Sequence, residues 1–307
     1  MKIVRSVAKM QELSRQARAG GLTVGFVPTM GYLHDGHLSL LKRARELSDL
    51  VVVSIFVNPT QFNNPEDFEN YPRDDKTDAA LLEEEGVDVL FMPPASEVYP
   101  AGAATRISVA GLSGELCGKF RPGHFEGVAT VVAALFNMVL PDFAVFGKKD
   151  FQQLQVIRRM VRDLHFPLRI VEAETVRERD GLAMSSRNAR LSAAEREEAP
   201  VIHRALDAAS ALFAAGERDS SRLVAEAAGV LAGCAALRTE YLEVVDPDAI
   251  AATEVADERS VMAIAAWLGP VRLIDNVTLA EARFPVTERS STGAGSHTRF
   301  ANGAAAN

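Results

Sequence analysis

The chain has 307 residues, 48% of them apolar and 24% charged, with 21 Gly and 14 Pro. That length suits two domains better than one core, and that composition excludes a disordered, collagenous or disulfide-scaffold protein. Its 33 Lys and Arg against 41 Asp and Glu leave a net charge of −8, the wrong sign for a surface that neutralises nucleic-acid phosphates, though compatible with a local basic pocket.

The first twenty residues are basic, with Glu12 the one acid, and lack the apolar stretch of a secretory signal; they read as an amphipathic first helix rather than a transit peptide. From residue 22 to about 171 short β-rich apolar runs alternate with helical periodicity, the mark of a parallel α/β sheet. Strands are predicted at residues 22–27, 50–57, 87–91, 143–146 and 168–171, and helices at 37–47, 75–85, 128–139 and 151–164. The fold class expected is a doubly wound, Rossmann-like sheet whose ligand crevice lies at the carboxyl ends of the strands. The apolar run 128–140 is interrupted by Thr130 and Asn137 and stopped by Pro141, well short of the ~20 residues of a membrane span.

After Val176 the texture changes to Ala-rich helices at 193–215 and 220–231, followed by β-like runs at 239–245, 260–267 and 271–274. The expected division is a Rossmann-like domain over residues 1–175, a smaller α+β domain over 176–283, and a disordered Gly, Ser, Ala and Asn-rich tail over 284–307. Cys117 and Cys234 stand far apart with no CxxC spacing. Neither a zinc site nor a disulfide framework is signalled, and a reducing cytoplasm is the expected compartment.

Four constellations carry chemistry. The first, PTMGYLHDGH (residues 28–37), joins the first predicted strand to the next helix. Gly31 and Gly36 permit close approach, and His34 and His37 face the same way if they enter the first helical turn. Backbone N–H groups at a helix start attract phosphate, and two imidazoles there can donate to a triphosphate. The second, GKKDFQQ (residues 147–153), points at the same crevice: Lys148 or Lys149 supplies phosphate charge, and Asp150 either accepts from ribose hydroxyls or N-caps the following helix.

The third constellation is GLAMSSRN (residues 181–188), where two hydroxyls and an Arg form a compact phosphate-binding set on a loop able to close onto nucleotide. The fourth, SIFVNPTQF (residues 54–62), stops a strand at Asn58-Pro59 and sends Gln61 onward, to bond either backbone or a small hydroxy acid. No P-loop and no GxSxG elbow are present, so neither a P-loop kinase nor a serine nucleophile is indicated. A thiol nucleophile at Cys117, with His124 nearby, is the weaker reading.

HDGH followed by MSSR resembles the HIGH and KMSKS pair of the class I aminoacyl-tRNA synthetase and nucleotidyltransferase superfamily. With VSIFVNPTQF, YPRD, RPGHFEGVATVV, FGKKDFQQL, RERDGLAMSSRN and RLIDNV, the set resembles the pantothenate synthetase (pantoate–β-alanine ligase) family over about residues 22–276. The resemblance implies ATP-dependent condensation of (R)-pantoate with β-alanine through pantoyl adenylate, releasing AMP and pyrophosphate, in pantothenate and coenzyme A biosynthesis. Such chemistry needs positioning and donors for the leaving pyrophosphate rather than an enzyme nucleophile.

Carried over by motif, His34, His37, Lys149, Ser185, Ser186 and Arg187 are the catalytic phosphate-binding set, with His37 the proton donor. Met30, Gly31, Tyr32, Leu33, Asp35, Gly36, Gly147, Lys148, Asp150, Val176 and Met184 complete the ATP site. Gln61 and Gln153 hold pantoate, with Asn58, Tyr71 and Arg121 around the pantoate and β-alanine end. The family commonly reads GEKD where this chain has Gly147-Lys148-Lys149-Asp150, and often Tyr where Phe151 stands. Lys149 is chosen as the phosphate ligand by its register before Asp150. The resemblance also implies Mg2+ held mainly by phosphates and water, a homodimer, and no nucleic-acid or membrane partner. Rival readings are a shorter nucleotidyltransferase that keeps its nucleotide on the product, a tRNA-charging enzyme disfavoured by charge, and an ATP-sensing module without turnover.

Overall fold

In the computed structural model, which describes residues 1–281, short Val-, Ile- and Phe-rich segments form six parallel strands: β1 (Lys2–Val4), β2 (Val24–Thr29), β3 (Leu50–Ile55), β4 (Val89–Phe91), β5 (Phe143–Gly147) and β6 (Arg169–Ala173). The sheet runs in the order β1-β4-β3-β2-β5-β6. Chain order therefore steps outward one way through β3 and β4, then resumes on the other side of β2 with β5. The gap between the ends of β2 and β5 is the topological switch point, where open α/β sheets bind ligands.

The helices in this part are α1 (Val7–Ala19), α2 (Asp35–Leu47), the short α3 (Pro65–Glu69), α4 (Asp75–Glu84), the single turns α5 (Ala95–Val98) and α6 (Cys117–Phe120), α7 (His124–Val139) and α8 (Phe151–Asp163). They cover both faces. Val24, Phe26, Val52, Phe91 and Phe146 pack against α1, α7 and α8, whereas Val27, Val51, Val53, Leu90 and Val145 meet α2 and α4. Successive strand residues thus enter opposite layers, which is why the strands read as unbroken apolar runs rather than alternating ones.

Beyond β6 come α9 (Ala193–Glu198), α10 (Val201–Ala214) and α11 (Ser220–Leu231), then an antiparallel sheet of β7 (Leu237–Val245), β8 (Val261–Leu268) and β9 (Val271–Thr278) in that order. The helices pack on Met262, Ile264 and Leu268, while Val245, Val261 and Ala263 join the large apolar cluster beneath α7 and α8.

Three expectations are corrected. β1 has no counterpart among the predicted strands: with three residues, of which Val4 alone is buried, it is too short to show a period. The single helix expected over 193–215 is two, because Pro200 has no N–H to donate and the chain turns at Ala199-Pro200. The helix expected from residue 128 starts at His124, after a left-handed Gly123. The expected tail, 284–307, lies outside the described residues.

Phe136 of α7 is 2% exposed and meets Phe26, Phe146 and Phe166 edge-on at 6.4, 6.4 and 5.8 Å between centroids. Phe136→Ala should therefore lower unfolding free energy by about 3–5 kcal/mol. Urea unfolding followed by circular dichroism measures it, and a loss under ~1 kcal/mol would contradict this packing.

Candidate active site

β2 delivers residues 28–37 to the switch point, and the conformation there is forced. Gly31 has φ +83°, and a side chain on it would meet the Asp78 carboxylate at 2.9 Å; Tyr32 follows with φ 54°. Asp78, 3% exposed on α4, accepts from the amides of Tyr32 at 2.7 Å and Leu33 at 2.8 Å. Burial raises its pKa, and these two amides oppose the rise. Sequence reasoning passes over Asp78, although an acid four residues before the buried Leu82, on the inward stripe of a helix, is a legible signal.

The loop ends in a capping box on α2. His34 Nδ1 accepts from the amide of Gly36 at 3.1 Å, and His37 Nδ1 accepts from the amide of His34 at 3.3 Å. The rings lie 4.2 Å apart. Because each Nδ1 is an acceptor, each neutral ring carries its proton on Nε2. Loss of hydration, followed by the charge of Lys149, lowers His34 to about 4. The same desolvation, with His34 and Lys149 beside it, lowers His37 to about 3. At pH 7 both are neutral Nε2–H donors, so His37 offers a hydrogen bond rather than the proton of an imidazolium.

Across the switch point β5 ends in a turn, Lys148–Asp150, before α8. The two lysines part company, as sequence neighbours do. Lys148 turns away to Glu174 at 2.6 Å, Glu281 at 3.7 Å and Glu172 at 4.0 Å. Lys149 lines the cleft, and among the described residues no carboxylate stands nearer to it than Asp150 at 3.9 Å. Asp150 occupies the N-cap position of α8 without making the capping bond, which leaves its carboxylate to the cleft. Gln152 is buried and bonded to Leu112 and Cys117 backbone, whereas Gln153 faces the cleft.

The third segment closes the cleft from the other side. Ser185 Oγ caps the turn Ser186–Arg190 by accepting from the Arg187 amide at 3.2 Å, leaving its own O–H free to donate. Ser186 stands in the same wall as Tyr71, whose hydroxyl pKa is pushed up by burial. Arg187 and Arg190 share Asp67 of α3, at 3.5 and 3.2 Å, a bridge across the cleft mouth that nothing in the sequence signals.

The fourth segment is held by a buried network. Asn58, 1% exposed, donates to Gln61 Oε1 at 3.0 Å and the Gly127 carbonyl at 3.1 Å, and accepts from the Tyr99 hydroxyl at 2.8 Å. Gly127 lets α7 approach, since a Cβ there would sit 2.4 Å from the Thr60 carbonyl. Gln61's partner is thus a side chain rather than backbone, and among the described residues its Nε2 has only the Met30 sulfur, at 3.2 Å. Arg121 and His124 bond the Gln61 carbonyl at 3.2 and 2.8 Å. His124 is lowered to about 3 by burial, then by Arg121.

These segments enclose one cleft with two connected chambers, about 220 Å³ on the His34 and Ser186 side and about 340 Å³ on the Arg121 side. Met30, Gln61, Lys149, Asp150, Gln153, Ser185 and Arg187 form the wall common to both. Gly36, Gly147, Val176, Met184 and Tyr71 line the first chamber. Of the residues singled out in sequence, Asn58 and Lys148 do not reach the cleft: Asn58's polar atoms are spent inside the fold, and Lys148's ammonium is spent on three carboxylates. Gly31, Tyr32, Leu33 and Asp35 also stand outside its lining; Tyr32 and Leu33 offer their amides to Asp78.

The profile of the family described as pantoate-beta-alanine ligase matches residues 2–278. A pantothenate synthetase of Thermotoga petrophila is 49% identical over 279 residues, covering 91% of this chain and all of that one. Another, from Acidobacterium capsulatum, is 55% identical over 85% of this chain and 88% of its own. Among solved structures, pantothenate synthetase of Thermus thermophilus superposes with a TM-score of 0.85 at 46% identity, over 91% of this chain and 99% of that one. A pantoate-beta-alanine ligase from Francisella tularensis, complexed with β-γ ATP and β-alanine, gives 0.75 at 34%, over 91% and 98%.

The depressed histidine pKa sets a stability prediction. His37 is neutral when folded down to about pH 3, but an unfolded imidazole takes a proton near 6.5. The unfolded state binds more protons between those values, so this contribution is whole above pH 6.5 and is lost as pH falls toward 3. His37→Gln, which cannot titrate, should melt with a shallower loss between pH 7 and pH 5, by up to about 1.4 kcal/mol per pH unit. Equal slopes in calorimetry would refute it.

Proposed function

The chain belongs to the pantoate–β-alanine ligase family, and we propose that this cleft joins (R)-pantoate to β-alanine at the expense of ATP, through pantoyl adenylate, with release of AMP and pyrophosphate. It is an enzyme, an AMP-forming carbon–nitrogen ligase. One observation carries the reading at residue level: two neutral Nε2–H donors, an ammonium whose nearest carboxylate among the described residues is 3.9 Å away and a Ser-Ser-Arg turn face one chamber, and two glutamines stand in the wall that it shares with the next.

In the first step a pantoate carboxylate oxygen attacks the α-phosphorus of ATP, and the bond to the bridging oxygen breaks. Negative charge grows on the departing pyrophosphate. His34, His37, Lys149, Ser185, Ser186 and Arg187 are the donors for it, fixed before the reaction and therefore without reorganisation cost. Met30, Gly147, Asp150, Val176 and Met184 bound the adenosine. Gln61, whose amide N–H groups have a weak acceptor in Met30, and Gln153 hold pantoate through its hydroxyls and carboxylate. Asn58 acts on pantoate at one remove, by orienting Gln61.

In the second step the neutral amine of β-alanine attacks the acyl carbon, AMP leaves, and the amide forms with loss of the amine proton. The chamber bounded by Arg121 and Tyr241 is the side from which the amine arrives. Closure of the unit from residue 176 onward keeps water from the adenylate.

Mg2+ would accompany ATP and neutralise phosphate charge. Among the described residues no three His, Cys, Asp or Glu side chains gather to hold an ion; phosphates and water are the expected ligands. A homodimer is part of the same reading, tested by light scattering against the 33.1 kDa chain mass. So is a cytoplasmic location, which two free, buried cysteines support. Among the described residues no helix is long and apolar enough to cross a membrane.

Pyrophosphate, AMP and amide should be followed with ATP and pantoate, then with β-alanine added. Little steady release from pantoate alone, rising with β-alanine to equal AMP and amide, is expected; no response to either substrate would overturn the assignment. His37→Ala should fold normally and slow adenylate formation by on the order of 10²-fold or more. Near-normal turnover would remove His37 from the donor set.

A further inference from the structure

β9 lies far in sequence from the cleft loops, yet two of its neighbouring residues bond both phosphate-side segments. Asn276 donates through Nδ2 to two successive carbonyls, Lys148 at 3.1 Å and Lys149 at 2.9 Å. One planar amide thereby orients two peptide groups, which aims the Cα–Cβ bond of Lys149 at the cleft. The strand itself is braced, since Asn276 pairs with Ala263 of β8, a residue of the main apolar cluster.

Asp275 serves the other segment. Its carboxylate takes both ends of Arg177, at 2.6 and 3.0 Å, with 3% and 12% of the two side chains exposed. Arg177 in turn donates to the Gly181 carbonyl at 3.1 Å and bridges to Ala183, forming the stem of the Ser185–Arg187 turn. The backbone amide of Asn276 donates back to Asp275 Oδ1 at 2.8 Å.

We propose that Asn276 is the positioning residue for Lys149, and that the Asp275-Asn276 pair sets the distance between Lys149 and the Ser185–Arg187 turn; this rests on the ligase reading of the cleft. Donors that grip one pyrophosphate from opposite sides must keep a fixed separation, and displacement by about 1 Å can cost ~10²-fold in rate. A rigid strand touching both segments supplies that separation. The β5–β6 ladder, which pairs Gly147 with Ala173, fixes only the roots of the two segments.

The test is a double-mutant cycle on adenylate formation with Asn276→Ala, Lys149→Ala and the double variant, each checked for native circular dichroism and melting. If Asn276 acts through Lys149, N276A should lower kcat by ~10- to 100-fold with KM for β-alanine unchanged. In the K149A background the same substitution should cost less than ~3-fold. Losses that multiply independently would overturn the positioning role while leaving the ligase reading intact. A K149A variant that keeps near-normal kcat would overturn the assignment of Lys149 and the proposal with it. Asn276→Ser, which keeps one donor, should lie between wild type and Ala, and replaces Ala in the cycle if that variant does not fold.

Discussion

Two nitrogen atoms give the cleft its polarity. His34 and His37 each surrender Nδ1 to a backbone amide at the start of α2, so each ring presents Nε2–H outward. An imidazole free to flip would offer an acceptor as readily as a donor, and an acceptor facing phosphate repels it. The arrangement depends on the loop before it, where Asp78 holds the amides of Tyr32 and Leu33 and Gly31 supplies a backbone shape closed to other residues. Dryness then keeps both rings neutral, so each presents an Nε2–H donor at pH 7.

Charge is distributed with the same economy. The chain carries a net −8, and many of its cations lie in ion pairs; Lys148 is surrounded by Glu172, Glu174 and Glu281. Lys149 is held back from such crowding. Among the described residues its ammonium has Asp150, at 3.9 Å, as its nearest carboxylate. Arg187 is different: it shares Asp67 of α3 with Arg190 across the cleft mouth.

The motifs around residues 28–37, 147–153 and 181–188 are legible because their residue types have few structural uses in that order. A His-x-Gly-His after a strand, or a Ser-Ser-Arg after Gly, is poor material for a core. Even there, the sequence leaves Asp150 open between a cap and the cleft, and Lys148 beside Lys149. Both ambiguities are ones of direction, and direction at the end of a strand is set by a few degrees of backbone rotation that no local pattern records. Asn58 reads in sequence as facing the ligand for the same reason; its neighbours Tyr99 and Gly127 are 41 and 69 residues away, and they draw it inward.

Taken alone, the order of apolar runs determined a parallel sheet with helices on both faces, since unbroken Val-rich strands are stable only when covered twice. It also determined which loops meet at the cleft, because loops following strands face one edge of such a sheet. What tertiary structure decided was contact across long sequence separations: Asp78 under the residue 28–37 loop, Asp67 on Arg187, and β9 behind Lys149. Each joins segments that share no period and no motif. Their meeting follows from the packing of whole layers, a sum over many weak contacts that local sequence does not encode.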